Sequence, residues 1–202
     1  MKRGLAALLL LLALLTLGAC SRGAIAKPMR LKAAELTKQE QGIFDLMKED
    51  RSAALYDFSL DAPATTVDVR AYELTADGTW SELEGLGSGL LPNAKRGRVY
   101  ISFKHIWEGM TLAVQDDDGS ASVRTKPPES KETQEPVATA VAAAEYDVVW
   151  EKEIPLALQI VAPGEQGVPL SVEYYDRPEK LMNQGYSAVY MVTAKFSKEP
   201  QD

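Results

Sequence analysis

This 202-residue chain reads as mainly β: an antiparallel β-sandwich of about nine strands carrying one N-terminal helix. Three observations predict it. Beyond Ala53, apolar and polar residues alternate with period two in one segment after another, the pattern of half-buried strands. Turn residues separate those segments, and no helical stretches alternate with them, which argues against βαβ units. A single helix-capping sequence, at Thr37, precedes the whole run.

In chain order, the first element is not part of the fold. Lys2 and Arg3 are followed by an apolar run from Leu5 to Leu17, broken only by Thr16. The run is too short for a bilayer core, which takes about 20 residues, and has the length of the apolar region of an export signal. Leu17-Gly18-Ala19-Cys20 follows at once. Residues 17–20 resemble the lipobox of bacterial lipoproteins. The resemblance implies that residues 1–19 are a signal peptide removed by the lipoprotein signal peptidase. It further implies that the Cys20 thiol carries the lipid and that the mature chain sits on the extracytoplasmic face of the cell membrane. Two acyl chains on one residue give stable anchoring. Cys20 is the only cysteine, so no disulfide within the chain is available and stability has to come from a core. Ser21 does not resemble the aspartate that marks inner-membrane retention in many Gram-negative bacteria.

Residues 20–36 then read as a tether, with Gly23, Pro28, Arg22, Lys27, Arg30 and Lys32. The domain is expected to span 37–198. Thr37-Lys38-Gln39-Glu40 is a capping box and predicts a helix ending near Glu49. Its apolar stripe of Ile43, Phe44, Leu46 and Met47 is expected to pack as core. Strands are predicted at Thr66–Tyr72, Arg98–Phe103, Thr111–Gln115, Ser122–Arg124, Tyr146–Trp150, Ile154–Val161, Val168–Tyr175 and Tyr186–Phe196, with an earlier one opening at Ala53. Asp77-Gly78 and Asp118-Gly119 are hairpin signals. The last strand is apolar on both faces, with Ala188, Tyr190 and Val192 against Val189 and Met191, as a central strand would be. Residues 126–136, polar and proline-containing, are expected to form a mobile loop within one domain. The layout also loosely resembles small, uncharacterised surface lipoproteins of anaerobic Gram-positive bacteria; that resemblance brings no site residues with it.

Charge narrows the partners. The chain carries 22 basic and 29 acidic residues, a net −7. Without Lys2 and Arg3 the balance is 20 against 29, or −9. Nucleic acid, which binds basic surfaces, is therefore not an expected partner, and an acidic domain is not drawn to anionic lipid headgroups. The membrane is expected to be reached through the lipid on Cys20.

No residue set spells out catalysis, and none calls for a cofactor. His105 is the only histidine and falls in phase with Val99, Ile101 and Phe103, which reads as a structural strand end beneath Trp107. Gly87-Ser88-Gly89 lacks the strand-to-helix context of a nucleophile elbow. Asp57 with Asp61, or Asp68 with Glu73, would serve a glycosidase only if their carboxyl groups faced each other about 5–10 Å apart; the solvated reading is preferred. Asp116-Asp117-Asp118-Gly119 is the sharpest acidic cluster and the candidate calcium site. It is not an EF-hand, since that register puts Val114 at position one and Thr125 at position twelve; a hairpin tip is preferred. Trp80, Trp107 and Trp150 would stack on sugars only if exposed on one face. The expectation is a lipid-anchored, non-enzymatic binding domain for a protein or glycan partner, the alternative being a carbohydrate-binding or carboxylate-based glycan hydrolase domain.

Overall fold

The computed structural model describes residues 28–48, 51–90, 92–127, 136–163 and 170–199. Cys20, the lipobox and most of the 126–136 loop lie outside them. Twelve strands among these residues form two antiparallel six-stranded sheets, so the fold is the predicted β-sandwich.

The strands are β1 (Arg30–Ala33), β2 (Ser52–Ala64), β3 (Thr66–Leu74), β4 (Trp80–Glu82), β5 (Ser88–Leu90), β6 (Ala94–Phe103), β7 (Thr111–Gln115), β8 (Ser120–Arg124), β9 (Val137–Val141), β10 (Tyr146–Asp147), β11 (Glu153–Val161) and β12 (Ala188–Ser197). The first sheet runs β10-β1-β2-β6-β7-β8. The second runs β4-β3-β12-β11-β9, with β5 also pairing β3. The single α-helix, α1, spans Lys38–Met47.

Register decides what faces inward. Phe196 pairs Val67, Ala194 pairs Val69 and Val192 pairs Ala71, which aligns these side chains on one face. The Phe196 ring meets Phe58 of β2 with centroids 5.4 Å apart, so that face is the interior between the sheets. Tyr56, fully buried, crosses the same interior and donates its hydroxyl to the Leu156 carbonyl at 3.0 Å. Leu156 lies where the β11–β12 register shifts between Pro155 and Ala157, and the bulge re-aims its backbone. Gly97 lies opposite Phe58. A Cβ there would stand 2.7 Å from the Phe58 ring and 2.3 Å from the Gln115 carbonyl oxygen; glycine admits the ring.

The alternate residues of β11 and β12 are buried too. Leu158, Ile160, Met191 and Thr193 face away from the first sheet, and all four are inaccessible. Residues 170–181, with Val172 and Leu181 buried, supply the cover. This explains the doubly apolar last strand. It also corrects the expected strand at Val168–Tyr175: Val172–Asp176 and Pro178–Lys180 are 3₁₀ turns, because a covering segment follows the sheet's side chains rather than its ladder.

Two further expectations are corrected. Arg30–Ala33, read as tether, is a strand between β10 and β2, and its Leu31 is fully buried. The capping box at Thr37 and Glu40 forms as expected, but the apolar stripe is not core. Ile43, Leu46 and Met47 are 55%, 77% and 52% exposed. The docked face is Leu36, Glu40, Phe44 and Lys48, spaced by four residues. Phe44 meets Tyr100 edge-on at 6.3 Å, and Glu40 pairs with Arg98 at 3.2 Å.

A chain truncated to begin at Leu36 should therefore melt well below one beginning at Pro28. It loses a mid-sheet strand and buried Leu31, whose removal alone is worth about 2–5 kcal/mol. Leu46→Ser should stay within about 0.5 kcal/mol of the parent. Thermal melts of the three proteins check both; equal melting of the two chain lengths would return β1 to the tether.

Candidate functional site

The groups that suggested chemistry are dispersed, and each is engaged in a local structural contact. Asp57 of β2 bonds Arg98 at 3.0 Å. Asp61 accepts the Trp150 indole N–H at 3.2 Å, so the two aspartates share no partner. Asp68 and Glu73 lie five positions apart on β3 and so project to opposite faces. Asp68, 4% exposed, is held by Arg70 at 2.8 Å and Lys195 at 3.8 Å on the outer face. Arg70 reaches on to Glu82 at 2.7 Å.

His105 stacks flat on Trp107, centroids 4.6 Å apart, with Nδ1 2.9 Å from Glu108. Ser88 lies in β5, paired with Val69. At Asp116-Asp117-Asp118 the Asp116 carboxylate accepts the amide N–H groups of Asp118 and Gly119, both at 2.9 Å. That is a turn made by a side chain. Among the described residues, no group of three or more His, Cys, Asp or Glu side chains gathers as a metal site.

The tryptophans do not line up. Trp107 is 4% exposed and packs on Tyr190 near the start of β12. Trp150 is half-buried beside the far end of β12, where the Glu151 N–H donates to the Phe196 carbonyl. Six residues of strand separate those ends, roughly 20 Å. Trp80 lies over the outer face of the second sheet.

That outer face holds a cluster the sequence does not announce. The Glu153 carboxylate accepts the Tyr72 hydroxyl on Oε1 at 2.5 Å and the Tyr175 hydroxyl on Oε2. Trp80 stacks on Tyr175, centroids 5.8 Å apart, and donates its indole N–H to the Tyr175 carbonyl at 3.0 Å. β3, β4, β11 and the 3₁₀ turn each supply one member. Burial, then the hydrogen bond to Glu153, pushes both phenols above their ordinary range. Phenols so bound remain donors, and the carboxylate has both oxygens occupied. The arrangement clamps the covering segment to the sheet.

The described residues also line open hollows, two of which carry polar groups. One, of about 400 Å³, is lined by Asp57, Arg96, Gly97, Arg98, Asp116 and Asp117 among others. The other, of about 360 Å³, lies between Leu74–Ala76 and Leu181–Val189. Both are shallow and mixed in polarity, which suits a partner's surface more than an enclosed small molecule. No family model, no curated protein and no solved structure matches this chain.

Two outcomes are expected. The raised phenols of Tyr56, Tyr72, Tyr175 and Tyr190 keep their protons in the folded state while unfolded tyrosines lose theirs near pH 10. Unfolding then releases protons, and stability should fall as pH rises above about 10. Tyr175→Phe should flatten that fall, as measured by denaturant unfolding between pH 8 and 11. Calcium should leave the melting temperature unchanged. Saturating a real site at 100 times its Kd would add about 2.7 kcal/mol; a rise lost in Asp118→Ala would establish calcium binding instead.

Proposed function

We propose that the chain is a membrane-anchored extracytoplasmic lipoprotein whose β-sandwich acts by binding at the cell envelope, without catalysis. The observation that carries the reading is Leu17-Gly18-Ala19-Cys20 placed directly after a basic start and a short apolar run. A small-residue pair before the thiol lets a peptidase reach the backbone, and the thiol is the nucleophile that accepts the lipid.

The domain supports the binding half of the proposal. Its buried acid, Asp68, is neutralised by two cations, and Glu153 is held by two phenols. These groups serve the fold. A protein partner is favoured over a glycan, because Trp107 is buried and Trp80 and Trp150 lie apart, so the tryptophans form no single stacking platform.

The anchor is tested by Cys20→Ser in a bacterial host. The precursor should stay uncut and should take up no acyl label, whereas the parent chain is shortened and labelled. Labelling that persists in the variant overturns the lipoprotein assignment.

A further inference from the structure

We propose that the Val149–Lys152 turn seats in the headgroup layer of the bilayer, so that the domain stands on the membrane with this turn beside its anchor. The proposal rests on the chain being membrane-anchored through its N-terminal region.

The described chain begins at Pro28, and the Val148 N–H donates to the Met29 carbonyl at 3.0 Å. Cys20 precedes Met29 by nine residues in the sequence, and Met29 lies beside this turn. From Cys20 to Arg30 the chain spans at most about 35 Å. Whatever holds residues 1–20 in a bilayer draws this end of the sandwich toward it.

The turn is built for an interface. It closes through the Lys152 N–H to the Val149 carbonyl at 3.1 Å. Glu151 takes a left-handed φ of 61°, and its carboxylate is tied back to Ser197 at 2.9 Å. The tip is therefore fixed in shape. Val149 is 52% exposed, and among the described residues it is an exposed large apolar side chain next to Val148, which bonds Met29. Trp150 beside it has an apolar body and a polar tip bonded to Asp61. Such a side chain favours the membrane–water boundary. The Lys198 ammonium stands 4.6 Å over the ring, and Lys152 flanks the tip. Both chains are long enough to lay their stems along the ring and present the charge to phosphate.

Charge does not drive the contact. Arg30 already pairs with Glu145 at 3.5 Å and Asp147 at 3.2 Å, and Asp61 and Glu151 balance the two lysines. One valine and one indole bind weakly alone, so the anchor has to supply the local concentration. Docking should then be insensitive to salt and should need no anionic lipid.

The test uses the full chain isolated in detergent and reconstituted in phosphatidylcholine vesicles with brominated acyl chains, which quench nearby indoles. An acylated Cys20 or an uncut apolar leader holds the chain there equally well, and mass spectrometry of the same sample reads acylation separately. Against unbrominated vesicles, part of the tryptophan emission should be lost. The loss should disappear in Trp150→Phe and shrink in Val149→Asp, which leaves every tryptophan in place, and it should not change with salt. No loss in the parent chain, or an equal loss in Trp150→Phe, overturns the proposal. So does a loss that persists in Trp150→Phe and vanishes in Leu46→Ser, which would set α1 on the bilayer instead. Quenching of Trp150 without acylation keeps the docking and removes the lipoprotein assignment; acylation without quenching does the reverse.

Discussion

The fold depends on one constraint: β11 and β12 are buried on both faces. Phe196, Val192 and Ile154 face the first sheet, while Met191, Leu158 and Ile160 face the opposite way and are equally inaccessible. A two-layer sandwich covers only one of these faces. The chain therefore has to fold residues 170–181 back across the outside of the second sheet. Covering that face also brings its polar groups out of water, where an unpartnered one costs about 1–3 kcal/mol. The contacts on the outer face answer this demand for the charged groups, while the buried Thr66 and Thr193 hydroxyls keep no partner. Glu153 receives two phenols, and Asp68 receives Arg70 and Lys195. Inside the sandwich, Gln159 accepts the Ile106 N–H and donates to the Lys104 carbonyl and the Thr139 hydroxyl. Acid, phenols and indole within reach of each other fasten that cover to the sheet.

In the first sheet, a separate contact ties the N-terminal segment to the core. β1 is only four residues long, yet it stands between β10 and β2, with Leu31 under the sandwich. Without a disulfide within the chain, a short strand in mid-sheet is what joins the region before Pro28 to the fold. Helix α1, by contrast, is an attachment. Its cap is complete, and Phe44 and Glu40 reach Tyr100 and Arg98 of the first sheet, but it buries no residue fully.

Where period-two contrast was strong, the sequence was legible: β2, β3, β6 and β7 were all apparent, as were the turns at Asp77-Gly78 and Asp118-Gly119. It failed where contrast was weak or ambiguous. Arg30–Ala33 holds one large apolar residue among polar neighbours and follows a proline. Val137–Val141 is half alanine or threonine and merges into Ala142–Ala144, so no face stands out. In α1 two overlapping faces were available. Periodicity could not tell Leu36-Glu40-Phe44-Lys48 from Ile43-Leu46-Met47, because the choice is made by Arg98 and Tyr100 on another element. The outer cluster had no local signal at all, since Tyr72 and Glu153 are 81 residues apart. Only the Asp68–Arg70 pair, two residues apart on one strand face, was open to a rule of spacing.

On the lipoprotein reading, the two ends of the sandwich take different roles. The N-terminal region meets the fold at Met29, beside Val148 and the end of β12 at Phe196. The hollow between Leu74–Ala76 and Leu181–Val189 lies at the start of β12, the length of a ten-residue strand away, or about 30 Å. His105, Trp107 and Tyr190 cap that same end. On that reading the end of the sandwich at Met29 is the one nearer the anchor, and the end at Tyr190 is the one farther from it. Net charge of −9 keeps the body of the domain from lying down on anionic headgroups. On the same reading the far end is the surface we propose for a partner, because its hollow is shallow and mixed in polarity.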